Sequence, residues 1–460
     1  MQGSRYDIGG RYGTPRHWFW GLAVAVLSSL FAAIATGYYF LAALPALLLV
    51  AYLAVVDFRA VFLLLLACIP LSTEVQLPNG FGTDLPTEPL IVGLMLVFLI
   101  YVLRHGRRLD AGFLTHPLSL LLLLHVGWIA VTTLTSSDPF ISFKFLLAKL
   151  WYVTTFYFLA GLLLQTTAEL RRYFWVIFFP LLLTIVVVFI RHAATGFSFA
   201  EVHAVLNPFY RNHVAYAAIM VAFFPLVWFV RRWYPSGSWQ RRLLTLSVPF
   251  LLLAIYFSYT RAAYVSLLIA GGAYFIIRWR LTKYVLLTAA VAAVLTVAYF
   301  AAGNRYLEYA PNYERTITHR DFENLLEATY QGEDISTMER VYRWIAGFYM
   351  SRDKPVFGFG PGNFYTFYKT YTVKSFRTYI SDNEERSGIH SYYLMTLVEQ
   401  GLPGLLLFLV LVGYALLRGE IIYHRLADPA ARQTAMMVLL SLIVILALLI
   451  INDLIETDKI

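Results

Sequence analysis

The sequence predicts an all-α protein: a polytopic, integral membrane helical bundle of about 12–13 transmembrane helices, with one large helical loop. Three observations carry this. Hydrophobic residues make up 59% of the 460, and charged residues only 14%. A soluble chain has about half and about a quarter, respectively. Runs of about 20 apolar residues recur from end to end. Nowhere do they give way to the ~10-residue alternating segments of a β-barrel.

The apolar segments fall at 18–36, 38–56, 60–72, 88–103, 117–134, 143–165, 173–191, 213–230, 244–260, 262–278, 283–302, 391–417 and 433–451. That is thirteen candidates. The segment 60–72 is short, and 244–278 is interrupted only by Tyr259-Thr260-Arg261. Basic connectors occur at Arg104/Arg107/Arg108, Arg171/Arg172, Arg231/Arg232/Arg241/Arg242, Arg278/Arg280/Lys283 and Arg418/Arg425/Arg432. They alternate with connectors poor in Lys and Arg, such as Ser72 to Pro89 and Ser136 to Ser142. The positive-inside rule places the basic set in the cytoplasm, with the N-terminus, and the other set outside. In a bacterial inner membrane that outer side is the periplasm.

The resulting organisation is a cytoplasmic N-terminus over 1–17, transmembrane helices over 18–302, a large outer loop over 303–390 and C-terminal transmembrane helices over 391–460. The first apolar run is too long for a signal-peptide core and reads as an uncleaved span. The net charge of +9 is a topology signal, since the basic residues sit in short loops between spans. Nucleic acid is not an expected partner. Cys68 is the only cysteine, which excludes an intrachain disulfide and a cysteine metal site.

The loop 303–390 is too polar to span and too aromatic to be a linker. Ser336-Thr337-Met338-Glu339 has the capping-box pattern and predicts a helix over about 337–351. On it, Val341, Ile345 and Phe348 share an apolar face, while Arg340 and Arg343 lie three apart on another. His319 to Tyr330 reads as a second short amphipathic helix. Phe357 to Asn363, with glycines at 358, 360 and 362, reads as a turn.

Three outer-side features bear on chemistry. Arg261 stands at the start of a span among apolar residues, so it must snorkel, pair or line a cavity. Arg340 with Arg343 can hold a diphosphate through bidentate hydrogen bonds, or form a solvated face paired with Glu339 or Glu333. His390 closes the loop and opens a span. There a neutral imidazole can accept a proton near neutral pH, although a lone histidine is also a common structural residue. No metal site is expected. His192, His203 and His213 share an outer connector without a helix-spaced pair or a carboxylate. Asp382-Asn383-Glu384 and Glu456-Thr457-Asp458 are acidic pairs outside any long first outer loop.

His390-Ser391, nine residues, then Gly401-Leu402-Pro403-Gly404 resembles the signature of the O-antigen ligase family. The Arg340-to-Trp344 helix followed by Gly358-Phe359-Gly360-Pro361-Gly362 is similar to that family's periplasmic loop, and Arg261 to its first functional arginine. The chain departs at Val265, where the family has Leu, and at Leu405-Leu406, where it often has Thr-Val. The likeness runs from about Ser258 to the C-terminus. It implies a GT-C-like glycosyltransferase that moves O-antigen from undecaprenyl diphosphate to a sugar hydroxyl of lipid A–core, with inversion and without cofactor or metal. It further implies His390 as general base and Arg261 and Arg340 as stabilisers of the diphosphate. Arg343 and, in second rank, Arg211 would bind the diphosphate or glycan. Glu399 reads as a structural residue, and the aromatics of 364–371 as an acceptor groove or as core. Lateral access for both lipids in a bacterial inner membrane, with the site facing the periplasm, completes the expectation. An O-antigen polymerase or a protein O-oligosaccharyltransferase would share the donor. A lipid or polysaccharide transporter would show paired halves and interrupted helices, and neither is legible.

Overall fold

The computed structural model describes residues 15–36, 44–76, 82–106, 110–310, 334–378, 381–383 and 387–454. Helices stand at all thirteen apolar segments. They are α1 (Pro15–Thr36), α2 (Leu44–Val56), α3 (Phe58–Cys68), α4 (Thr87–His105), α5 (Pro117–Leu134), α6 (Pro139–Leu163), α7 (Thr167–Ala194), α8 (His213–Val230), α9 (Trp239–Tyr256), α10 (Arg261–Arg278), α11 (Thr282–Ala301), then α13 (Tyr392–Arg425) and α14 (Pro429–Leu448). Between them the polar loop carries α12 (Ile335–Asp353). Among the described residues, nine helices are long and apolar enough to cross a membrane. Asp57 splits a longer apolar run into the short α2 and α3, and α9 opens on Gln240-Arg241-Arg242. The small Tyr259-Thr260-Arg261 interruption is a true turn. Tyr259 takes φ 52°, in the left-handed region, between the end of α9 and the start of α10.

One element departs from the all-helical expectation. The connector after α3 holds a two-stranded antiparallel hairpin, β1 (Thr73–Gln76) paired with β2 (Gly82–Leu85) in register Thr73 to Leu85.

Local sequence explains the helix starts. Asn212, Ser238 and Asp428 each accept a first-turn N–H from α8, α9 and α14, which satisfies otherwise orphaned donors. A capping box forms at Thr166 and Glu169 ahead of α7. It does not form at Ser336–Glu339. There Asp334 caps α12 through the Thr337 N–H, so the helix begins earlier than the pattern predicts, and Glu339 is turned inward.

The core has two parts. One joins α3, α4 and α7 around Phe62, Leu65 and Leu94. The larger joins α7 to α10, α12, α13 and α14.

The connectors meet in two groups. At one end, Ser137 N–H donates to Phe359 O at 2.9 Å, the Tyr259 hydroxyl to Phe197 O at 2.6 Å and Tyr392 N–H to Asn452 O at 3.1 Å. This end gathers the connector Ser136 to Ser142, which has no Lys or Arg before Lys144, and the long polar loop. At the other, Trp175 Nε1 donates to the Tyr234 hydroxyl at 2.6 Å, and the Arg171 guanidinium lies over the Trp233 ring.

Helix α13 is not straight. Gly401 takes φ 70° and ψ −176° inside it, a conformation essentially confined to glycine. The Leu402 N–H leaves the helix and donates to Pro355 O at 2.8 Å, and Pro403 has no N–H to give. The rings of Tyr392 and Phe408 lie 5.0 Å apart. In a continuous helix their backbones would be about 24 Å apart. The chain therefore folds back at Gly401, forming an N-terminal arm (392–400) and a long arm (402–425). A Cβ on Gly401 would stand 2.0 Å from Val356 O. Gly401→Ala should remove on the order of 3 kcal/mol of stability, measured as a lowered unfolding midpoint in detergent. An unchanged midpoint contradicts the elbow.

Candidate functional site

The site end brings together residues from α8, α10, α12, the N-terminal arm of α13 and the segment after α14. Arg261 is the first residue of α10. A cation there opposes the positive end of the helix dipole, and the fold answers with Asp334. The Arg261 guanidinium meets the Asp334 carboxylate at 3.1 Å. Asp334 also accepts the Thr337 N–H at 3.0 Å and its hydroxyl at 2.5 Å. Burial pushes the Asp334 carboxyl upward, but Thr337 and the Arg261 charge outweigh it and hold the group below its ordinary value. One carboxylate thus caps α12 and ties it to α10.

The two arginines expected to share a task have different surroundings. Arg343 is 4% exposed. It pairs with Glu339 at 3.3 Å and donates to Gly388 O at 3.2 Å. Glu339 in turn accepts hydrogen bonds from the Thr378 and Ser381 hydroxyls. Arg343 is therefore an internal strut that fixes the backbone two residues before His390. The alternative of a solvated face paired with Glu339 holds for the partner but not for the solvation.

Arg340 hydrogen-bonds only to Ser336, one turn back on its own helix. Its Nε is buried without a partner. Among the described residues it makes no ion pair. Burial and the charges of Arg261 and Arg343 push its pKa down, against a smaller pull from Asp334 and Asp453. The guanidinium stays charged, so its donors remain open to an incoming acceptor.

His390 takes φ 55°, and its ring has no hydrogen-bond partner among the described residues. Its position is held from both sides: Arg343 grips Gly388 O, and Tyr392 N–H donates to Leu449 O at 2.9 Å. Burial, reinforced by Arg340 and Arg343, pushes the imidazole from its ordinary 6.5 down to about 3. The ring is thus neutral at neutral pH but far less basic than the sequence alone implies.

The structure thereby places Arg340 within electrostatic reach of Arg261 on one side and of His390 on the other. Arg211 is apart from this network. It is exposed two residues before α8 and makes no hydrogen bond or ion pair among the described residues.

The glycine turn has no free cradle. Phe359 and Gly360 N–H donate to Val398 O and Glu399 O, and Gly362 and Phe364 N–H to the Glu399 carboxylate. Glu399 is the structural residue expected, and the turn is a docking loop. Phe364 and Tyr368 are fully buried and stacked, so this part of 364–371 is core.

The described residues contain no cluster of three or more His, Cys, Asp or Glu side chains with metal-site geometry. His319 to Tyr330, Glu333, Glu384, Glu456 and Asp458 lie outside the described residues.

Sequence reading missed Asp334 and Asp453, and weighed His213 only as a metal ligand. Asp453 is buried, and a Cβ on Gly388 would lie 2.1 Å from its carboxylate. Asn452-Asp453 closing an apolar run was its available signal. Asp334 had none, since its partner is 73 residues away.

A match to known proteins covers this part of the chain. Residues 246–409 match the model of the O-antigen ligase family. The family resembled at the His390–Gly404 signature is the one found, and the match takes in Arg261, Arg340, Arg343, His390 and Gly401. No curated protein matches the chain.

The low basicity of His390 has a consequence for folding. Below about pH 6.5 the unfolded chain takes up a proton that the folded site refuses until about pH 3. Stability should therefore fall on acidification through that window, since the unfolded state binds more protons. His390→Gln should flatten the fall in thermal midpoint between about pH 6.5 and 4. Equal slopes in both proteins contradict the buried neutral imidazole.

Proposed function

We propose that the protein is an O-antigen ligase of the bacterial inner membrane, acting at its periplasmic face. It transfers O-antigen from undecaprenyl diphosphate to a sugar hydroxyl of lipid A–core. The observation that carries this reading is Arg340. A half-buried guanidinium with donors beyond those held by Ser336, beside a neutral histidine and near a second arginine, is suited to an anionic leaving group and an acceptor hydroxyl in one place.

In this reading Arg340 and Arg261 bind the diphosphate. Arg340 does so with donors beyond those held by Ser336, and Arg261 through the charge of its guanidinium. His390 accepts the proton of the acceptor hydroxyl, whose oxygen attacks the anomeric carbon opposite the diphosphate, with inversion. The bond to the diphosphate breaks, and the leaving group departs with its negative charge held by the arginines. A diphosphate leaving group needs no added proton and, between two arginines, no metal.

The depressed basicity of His390 fits this sequence of events. Its causes include the charges of Arg340 and Arg343. A bound diphosphate offsets those charges and so raises the imidazole toward its ordinary value. The base becomes effective only once the donor is in place, which protects the donor from futile hydrolysis.

The loop 303–390 then serves as a roof over a cleft open sideways to the membrane, through which both lipids arrive. The alternation of basic and non-basic connectors supports the orientation. Arg343 acts as a strut for the base in this account, and Arg211 as a solvent-facing contact of second rank for diphosphate or glycan.

His390→Ala should lower transfer to purified lipid A–core by at least about a hundredfold, while size-exclusion behaviour stays normal. Wild-type turnover should persist in chelator. Normal turnover by the variant contradicts the base, and strict dependence on added divalent metal contradicts the arginine account. Transfer to a second donor glycan instead of lipid A–core would indicate a polymerase.

A further inference from the structure

The connector between α7 and α8 carries a feature with no role in the proposed reaction. His213 opens α8, and His203 lies in the connector before it. His213 Nδ1 and His203 Nε2 are 3.0 Å apart. The two rings stand 84° to each other with centroids 4.6 Å apart. One imidazole donates and the other accepts. His203 is exposed and His213 half-buried.

His213 is the member that faces the site. It lies within electrostatic reach of Arg340 and Arg261. Thr260, the residue before Arg261, donates to its backbone carbonyl at 3.2 Å. The groups around it are therefore His203 from the connector, Thr260 and Arg261 from the start of α10, and Arg340 from α12. A ring engaged at Nδ1 has only Nε2 left for another partner. Beside two arginines, a partner that gains from an N–H donor is an anion.

We propose that His213 is a third ligand of the diphosphate held by Arg261 and Arg340, with its tautomer set by His203. The proposal rests on the reading of this cluster as a diphosphate site. When His203 Nε2–H donates to His213 Nδ1, the proton of His213 sits on Nε2 and points a directional donor at the anion. The arginines supply charge from α10 and α12, and the ring adds a contact from α8. The ligand is thereby gripped from three helices, at the first residue of α8 and of α10 and in the second turn of α12. Fixing a ligand's tautomer through the bond at its other nitrogen is what an outer partner does for histidines in general.

The test uses the purified full chain in detergent and farnesyl diphosphate as a soluble probe, with binding measured by calorimetry. His213→Ala should weaken binding by about tenfold, the loss of one hydrogen bond to a charged group. His203→Gln, whose amide N–H replaces Nε2–H, should stay within about twofold of wild type, whereas His203→Phe should fall toward His213→Ala. In turnover, His213→Ala should raise the donor KM more than it lowers kcat. If His213→Ala does not purify folded, His213→Phe keeps the ring volume without the donor and serves in its place. Wild-type affinity in the His213 variant, with Arg340→Ala defective, overturns the proposal and leaves the pair a packing contact. Wild-type affinity in Arg340→Ala as well overturns the diphosphate reading and this proposal with it.

Discussion

At Gly401 the chain takes a backbone conformation that a side chain would forbid, and the site depends on the result. The elbow sends the N-terminal arm of α13 back toward its own long arm, which brings the Tyr392 ring onto Phe408. It also opens room for the chain after α12. Pro355 O takes the freed Leu402 N–H, and the glycine turn seats on Val398 and Glu399. The elbow is held from α5 as well. His125 Nε2 lies 3.1 Å from the Gln400 side-chain oxygen, and Trp128 Nε1 donates to Gln400 O at 2.8 Å. His390 stands at the far end of this braced arm. A straight α13 would carry it away from α10 and α12.

The electrostatics follow from what is and is not neutralised. Arg261 and Arg343 each have an ion-paired carboxylate, and each of those pairs also does mechanical work: Asp334 caps α12, and Glu339 anchors Thr378 and Ser381. Arg340 has neither task. Its Nε is buried without an acceptor, which is unfavourable and would be relieved by an anion. Burial suppresses the basicity of His390, and the same uncompensated charge adds to it. In the proposed reaction, donor binding and activation of the base would be coupled through this side chain.

Much of this was legible in the sequence. Apolar runs gave the positions of the thirteen apolar helices, because a run of apolar residues needs no knowledge of its partners. Arg261, Arg340 and His390 were legible through a resemblance whose spacing survives in this chain. The failures are those of residues whose meaning lies in distant partners. Arg343 looked like Arg340 because they share a helix face, yet only burial against Glu339 and Gly388 separates them. Ser336–Glu339 matched a capping pattern, but Asp334 caps the helix two residues earlier through the Thr337 N–H, and Glu339 is turned to the interior. The glycines at 358 to 362 read as a turn, as they are, but that the turn docks on Val398 and Glu399 depends on partners about forty residues away. The elbow could not be read from Gly-Leu-Pro-Gly, since those residues also occur in merely kinked helices.

The central claim is that one diphosphate site lies between Arg340 and Arg261 with His390 beside it. Electron cryomicroscopy of the full chain with undecaprenyl diphosphate tests this most directly. The account predicts diphosphate density within hydrogen-bond distance of the Arg340 guanidinium, with Asp334 still on Arg261 and the His390 ring facing the end where the sugar would attach. Diphosphate density elsewhere, with Arg340 still turned to Ser336, would contradict it.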